Sequence, residues 1–200
     1  MAKANWVNVN PPSGSGDGIV NVSSTAVHTG RNARTSTLTW KAANVQDVVR
    51  NVSQAGKPEY VDVDDAAAAG QSGNVVTISG KSNSSRLTFS LGTGDLPISL
   101  PGTYIAQSLV TTNGAAISGD PGASTEYDFS ITIDVPANEG IAALSRQIIV
   151  RDNAGHEDVC TLTLAAGDAY ITVTAGTIEL DYLGTAVSVH VESNTNWTVE

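Results

Sequence analysis

The chain has 200 residues, 40% of them hydrophobic, enough for one or two packed domains and unlike a disordered polypeptide. A formal net charge of -10 and a pI near 4.5 argue against nucleic acid or an anionic membrane as partner, since both are held by basic patches. The single cysteine, Cys160, excludes an intrachain disulfide, and 15% charged residues among abundant Gly, Thr, Ser, Asn and Val give the composition of a turn-rich all-β protein.

Met1 to Asn5 lead directly into strand-like Trp6-Val-Asn-Val9, with no apolar segment of signal-peptide type. No run of about 18 apolar residues follows that would cross a bilayer. The expectation is a protein made in the cytoplasm that stays there or is released by lysis. Pro11 to Gly18 read as a loop, Ile19 to Val22 as a short strand and Ser36 to Trp40 as another. Val45, Val48, Val49 and Val52 fit a helical period, yet four valines in eight residues also suit a strand, so this segment admits either.

After Lys57-Pro58, strands are expected at Tyr60 to Val63, Asn74 to Ile78 and Arg86 to Leu91, with an Asp/Ala/Gly segment between the first two and a break at Ser82 to Ser85. Residues 92–124 are loop-rich, with weaker strands in 103–110 and a turn at Asp120-Pro-Gly122. Tyr127 to Val135 is the clearest alternating strand, and Gln147 to Arg151 and Val159 to Leu164 follow. Beyond Gly167, alternation returns over Tyr170 to Ala175, Ile178 to Asp181 and Val187 to Val191, and Trp197 to Val199 begins one more strand.

Two passes of this pattern repeat at about 110 residues. Tyr60 matches Tyr170, Ser82-Asn83 matches Ser193-Asn194, Ser53 to Gly56 matches Leu164 to Gly167, and Asn32 with Arg34 parallels Asn138 and Arg146. Residues 58–167 therefore form one whole domain, 1–57 the back half of another, and 168–200 a front half. Neither half covers its own apolar face, and each carries unpaired strand edges.

Trp6-Val-Asn-Val-Asn-Pro-Pro-Ser-Gly14, Asn32-Ala-Arg34, Val52-Ser-Gln-Ala-Gly56 and Ser193-Asn-Thr-Asn-Trp197 resemble the BACON family. These are immunoglobulin-like sandwiches found in Bacteroidetes polysaccharide-degrading proteins and in virion proteins of crAss-like phages. The middle domain matches more loosely, lacking the tryptophan after Ser82-Asn83 and carrying an insertion at 92–124. The resemblance implies an all-β fold of immunoglobulin-like antiparallel β-sandwiches, one complete and one split. It implies no enzyme and no cofactor, but a virion protein of auxiliary, decoration or head-fibre type, bound to other virion proteins such as the major capsid protein. The alternative it carries is a carbohydrate-binding accessory module, with host glycans as partners.

Such sandwiches place their termini at opposite poles, about 30–40 Å apart for strands of ~10 residues. The short junctions at Lys57-Pro58 and Gly167-Asp168 then favour head-to-tail completion by a neighbouring copy, with closure within one chain or pairing with other proteins as rivals. The residues expected to carry half-domain completion are Trp6, Val7, Val9, Ile19, Val22, Val187, Val189, Val191, Trp197 and Val199.

Other chemistry is thin. Asp62, Asp64 and Asp65 offer oxygen ligands for calcium or else form a solvated strand end. His28, His156 and His190 lie in separate segments. His156 and Cys160 on one strand sit about 13 Å apart, too far for a shared zinc ion, and Cys160 reads as a buried structural thiol. Trp6, Trp40, Tyr104 and Tyr182 are available to stack on sugars, while Trp6 and Trp197 also read as core anchors.

Overall fold

The computed structural model of the protein describes residues 3–174 and 176–200. Met1, Ala2 and Ala175, the last of which the alternation places in a strand, lie outside the described residues. The N-terminal strands are β1 (Val7–Asn10), β2 (Asn21–Ser24), β3 (Arg34–Trp40) and β4 (Val48–Gln54). The middle of the chain carries β5 (Val61–Val63), β6 (Ala66–Ala69), β7 (Asn74–Ser82), β8 (Thr88–Gly94), β9 (Thr103–Ala106) and β10 (Leu109–Thr112). A 3-10 turn at Pro121–Ala123 precedes β11 (Tyr127–Val135), β12 (Leu144–Arg151) and β13 (Glu157–Leu164), and β14 (Ile171–Val173) and β15 (Val191–Ser193) follow.

Strand β11 shows how the core is made. Tyr127, Phe129, Ile131, Ile133 and Val135 are buried while Asp128, Thr132 and Asp134 face outward, as a period of two requires. Each buried Ile or Phe contributes about 1.5–3 kcal/mol relative to exposure. β11 lies inside a five-stranded sheet of order β10-β9-β11-β7-β5, and this packs on a four-stranded sheet of order β6-β13-β12-β8. Ile78, Leu87, Leu96, Ile148, Leu162 and Leu164 fill the space between, around a Phe89–Phe129 edge contact at 5.9 Å. The fold is all-β, an immunoglobulin-like sandwich over residues 61–164.

Within it the chain changes sheets between β5 and β6. Asp158 fixes the crossing by accepting the Val63 N–H at 2.7 Å, and β6 then runs parallel to β13, the one parallel pair among the described strands. Tyr127 pairs with Ser82 at one end of β11 and Val135 with Asn74 at the other. The Pro58 junction lies beside the first pair and the Asp168 junction beside the second, so nine residues of strand, about 30 Å, separate them.

The ambiguous valine segment is strand, β4, paired with β3 from Arg34↔Gln54 to Trp40↔Val48. Four expectations need correction. The Asp/Ala/Gly segment contains β6, which β13 holds in place despite the weak strand preference of alanine. The strand expected at Ile19 begins at Asn21, and Ile19 is exposed. Ile178 to Asp181 and Trp197 to Val199 form no strand. In the third C-terminal run, Val187 and Val189 precede β15, which starts only at Val191. The reason is pairing: β7 is held between β5 and β11, whereas β15 pairs with β14 alone and the contact ends at the Thr174 N–H to His190 carbonyl bond.

Candidate functional site

The repeat is reproduced hydrogen bond by hydrogen bond. Fully buried Asn83 accepts the Tyr60 N–H at 3.0 Å and donates through Nδ2 to the carbonyls of Thr29, Lys57 and Pro58, each at 3.2 Å. Asn194 accepts the Tyr170 N–H at 3.0 Å and donates to the carbonyls of Glu139 and Asp168 at 2.9 Å. The neighbouring serine repeats as well: Ser82 Oγ donates to the Tyr60 carbonyl at 2.6 Å and Ser193 Oγ to that of Tyr170 at 2.9 Å. Lys57 N–H bonds the Gly30 carbonyl as Gly167 N–H bonds that of Gly140.

These contacts fix the alignment of the repeat. Val61↔Ser82 and Val63↔Gly80 reappear as Ile171↔Ser193 and Val173↔Val191, so β14 and β15 are the counterparts of β5 and the end of β7. The β3–β4 hairpin matches β12–β13, with Gln54 opposite Arg34 as Leu164 is opposite Leu144. That moves the Ser53 to Gly56 match by one residue. The counterpart of Asn138 is His28 rather than Asn32, since each side chain contacts the carbonyl four residues on, His28 at 2.6 Å and Asn138 at 2.7 Å.

The N-terminal segment is two hairpins, β1–β2 and β3–β4, with Val7 and Leu38 buried. Arg34 lies 4.7 Å over the Trp6 ring and bonds Gln54 at 2.9 Å, which covers one side of Trp6. Elsewhere in this segment a groove of about 590 Å³ opens, lined by Val9, Pro12, Leu38 and Trp40 with Lys3 and Lys41. In the complete sandwich the counterparts of β3 and β4 are flanked by β8 and β6. Here those outer edges have no partner among the described residues, and Val22, Val48 and Val49 stay exposed.

The C-terminal segment is more open still. Val189 and Val191 are half-buried, while Ile171, Val187, Trp197 and Val199 are exposed. Among the described residues no strand of 168–200 pairs with one of 1–57. The residues expected to complete a shared domain therefore occupy two separate sites, with Trp6, Val7, Val9, Ile19 and Val22 at one, and Val187, Val189, Val191, Trp197 and Val199 at the other. Their charges are opposite. Residues 1–57 carry Lys3, Arg31, Arg34, Lys41, Arg50 and Lys57 against Asp17 and Asp47, net +4, with Arg31 already paired to Asp120 of the middle sandwich; residues 168–200 carry Asp168, Glu179, Asp181, Glu192 and Glu200 without Lys or Arg, net -5.

A joint that sequence reading missed ties the first half to the complete sandwich. Arg31 and Asn32 donate backbone N–H groups to the Gly122 and Ala123 carbonyls at 2.9 Å, Arg31 pairs with Asp120, and Thr29 Oγ1 accepts the Glu126 N–H at 3.1 Å. The approach demands glycine on both sides. A Cβ at Gly30 would stand 2.3 Å from the Ser124 carbonyl carbon, and one at Gly122 would stand 2.1 Å from the Asn83 oxygen.

The other candidates do not assemble. Asp62, Asp64 and Asp65 line a groove of about 680 Å³ with Lys81, Gln107 and Asp128. Asp64 is turned to the Ser79 N–H, and no three His, Cys, Asp or Glu side chains among the described residues are placed to hold a metal ion. Cys160 is buried, and burial, with Asp64, Asp65 and Asp158 nearby, pushes its thiol up to about 11. His156 turns instead to Asp152 at 2.7 Å. Tyr104 is buried in the core, which removes it from the sugar-stacking set, while Trp40 and Tyr182 are exposed in different segments.

No helix among the described residues is long and apolar enough to cross a membrane. No family model matches the chain, and no curated protein matches it. Among solved structures it is similar to the NMR structure of a protein from Bacteroides thetaiotaomicron, with 13% identity and a TM-score of 0.29 over 56% of this chain and 89% of that one.

Proposed function

We propose that the protein is a non-enzymatic structural component that assembles head to tail, the 168–200 half of one copy completing the 1–57 half of the next. One observation carries this reading: residues 1–57 and 168–200, of opposite net charge, form only two-stranded sheets, while the middle of the same chain builds sheets of five and four strands. The separation of Pro58 and Asp168 across the sandwich supports exchange between copies over closure within one. A heterologous contact of this kind gives a ring if its rotation closes and a filament if it does not.

The setting we propose is a bacteriophage virion, as an auxiliary, decoration or head-fibre protein bound to the capsid, on the strength of the motif resemblance. Sedimentation of the full chain over a dilution series tests the assembly. Oligomers that Val187→Lys dissolves, while the melting of the middle sandwich is unchanged, are the expected result; a folded, strictly monomeric chain overturns it. Recruitment to empty capsids, set against a glycan array read with and without Trp40→Ala and Tyr182→Ala, separates the virion setting from a carbohydrate-binding module.

A further inference from the structure

Half-domain exchange leaves open how one sandwich is oriented on the next. Resting on that reading, we infer that the joint at Asp168 is the joint at Pro58 over again, with the Pro11 to Gly18 loop of a second copy closing on Glu139, Gly140 and Ile141. The complete sandwich supplies the template. Its loop before β11 sits on Thr29, Gly30 and Arg31, beside Asn83. The counterparts of these residues are Glu139, Gly140, Ile141 and Asn194, and half of the joint is already formed there, since Asn194 bonds the Glu139 and Asp168 carbonyls.

What is absent is the loop. Gly30 is covered so closely that no Cβ fits, whereas a Cβ at Gly140 would meet nothing nearer than Asn138 Oδ1 at 3.3 Å. A Cβ at Gly122 would meet the Asn83 backbone at 2.1 Å, whereas one at Gly14, Gly16 or Gly18 would meet nothing within 4 Å. The Pro11 to Gly18 loop joins β1 to β2 as the 107–126 segment joins β9 to β11, and both hairpins are antiparallel. Exchange would therefore bring this loop to the pole where Asn194 lies.

The chemistry of the contact changes in step on both sides. Position 141 is isoleucine, half exposed, where its counterpart Arg31 forms an ion pair with Asp120, and the incoming loop offers Pro11 and Pro12. An apolar contact thus replaces the ion pair while the backbone bonds are kept. A joint of one kind throughout gives every sandwich the same rotation and rise relative to the last.

Full-length Ser15→Cys and Glu139→Cys chains, mixed under oxidising conditions, test the joint, because Thr29 meets Thr125 at 3.1 Å in the template and native Cys160 is buried. The expected result is a disulfide formed only on mixing, on the order of 100-fold faster than in either variant alone, since assembly raises the effective concentration of the pair. Val22→Cys mixed with Val187→Cys reports the exchange itself. β1–β2 pairing puts Val22 on the face of buried Val7, and Val187 is the counterpart of Val76, whose partner in β11 is Ile133. If the second pair cross-links and the first does not, the joint is wrong and the exchange stands; if neither does, both fall.

Discussion

Asn83 and Asn194 share three equivalent bonds in different surroundings, and this difference is measurable. Asn83 is fully buried and holds three carbonyls and one N–H from the 29–60 stretch. Asn83→Ala leaves several of these groups buried without partners, at about 1–3 kcal/mol for each one that water cannot reach. A loss of about 3 kcal/mol in denaturant unfolding is expected, together with faster proteolysis at Lys57. Asn194→Ala removes bonds that water can replace, so its effect in a dilute, dissociated sample should stay below about 1 kcal/mol and grow on assembly. Cys160 gives a pH signature of definite sign. Its thiol is raised from 9.0 to about 11 by burial, so the unfolded chain loses that proton first. The contribution is complete below pH 9 and is lost as the pH rises from 9 to about 11. Tyr60, Tyr104 and Tyr127, also raised chiefly by burial, extend the loss to higher pH. Guanidinium midpoints across pH 8–11 should therefore fall, and Cys160→Ala should delay the onset of that fall.

At the level of elements, alternation reports the capacity to form a strand, and pairing decides whether one forms. Tyr127–Val135 was legible to the residue because all nine positions alternate and both edges of β11 find partners. Val187 and Val189 alternate as cleanly, yet remain outside β15 because the pairing with β14 ends at Val191. The converse is β6, whose four alanines carry no strand signal and which exists through its pairing with β13. The repeat was visible because Tyr, Ser and Asn recur where side chains bond the backbone. Its exact offset was not, since Ala55 finds an alanine at either of two adjacent offsets, and the strand register together with the bonds from His28 and Asn138 distinguishes them. Of the candidate site, the alternating apolar residues near both ends of the chain could be read from the sequence. The joint could not, because Arg31 and Asn32 bond carbonyls of Gly122 and Ala123, and a carbonyl has no residue type. The Asp62, Asp64 and Asp65 reading failed to converge for a matching reason: the strand period and the sheet crossing send neighbouring carboxylates toward different partners.

For the molecule as a whole, two electrostatic effects oppose one another, and salt separates them. Copies with a net charge of -10 repel at long range, whereas a half of +4 meeting a half of -5 attracts at contact. The Debye length is about 10 Å at 0.1 M salt, so the long-range repulsion is already largely screened there while charges in contact are screened less. Exposed ion pairs contribute roughly 0.2–1 kcal/mol each, and with Arg31 already paired to Asp120 three further compensated charges amount to roughly 0.6–3 kcal/mol. Raising salt from 0.1 to 1 M should then weaken the proposed head-to-tail association by about 10- to 100-fold, read as the dissociation constant in sedimentation equilibrium. Arg50→Glu, at an exposed position of β4 opposite Leu38, should weaken association at 0.1 M and flatten the salt dependence without changing the melting of the middle sandwich. Association that instead tightens steadily with salt would mean that apolar burial against a net repulsion holds the copies together, and that the charge division between the halves has no part in their recognition.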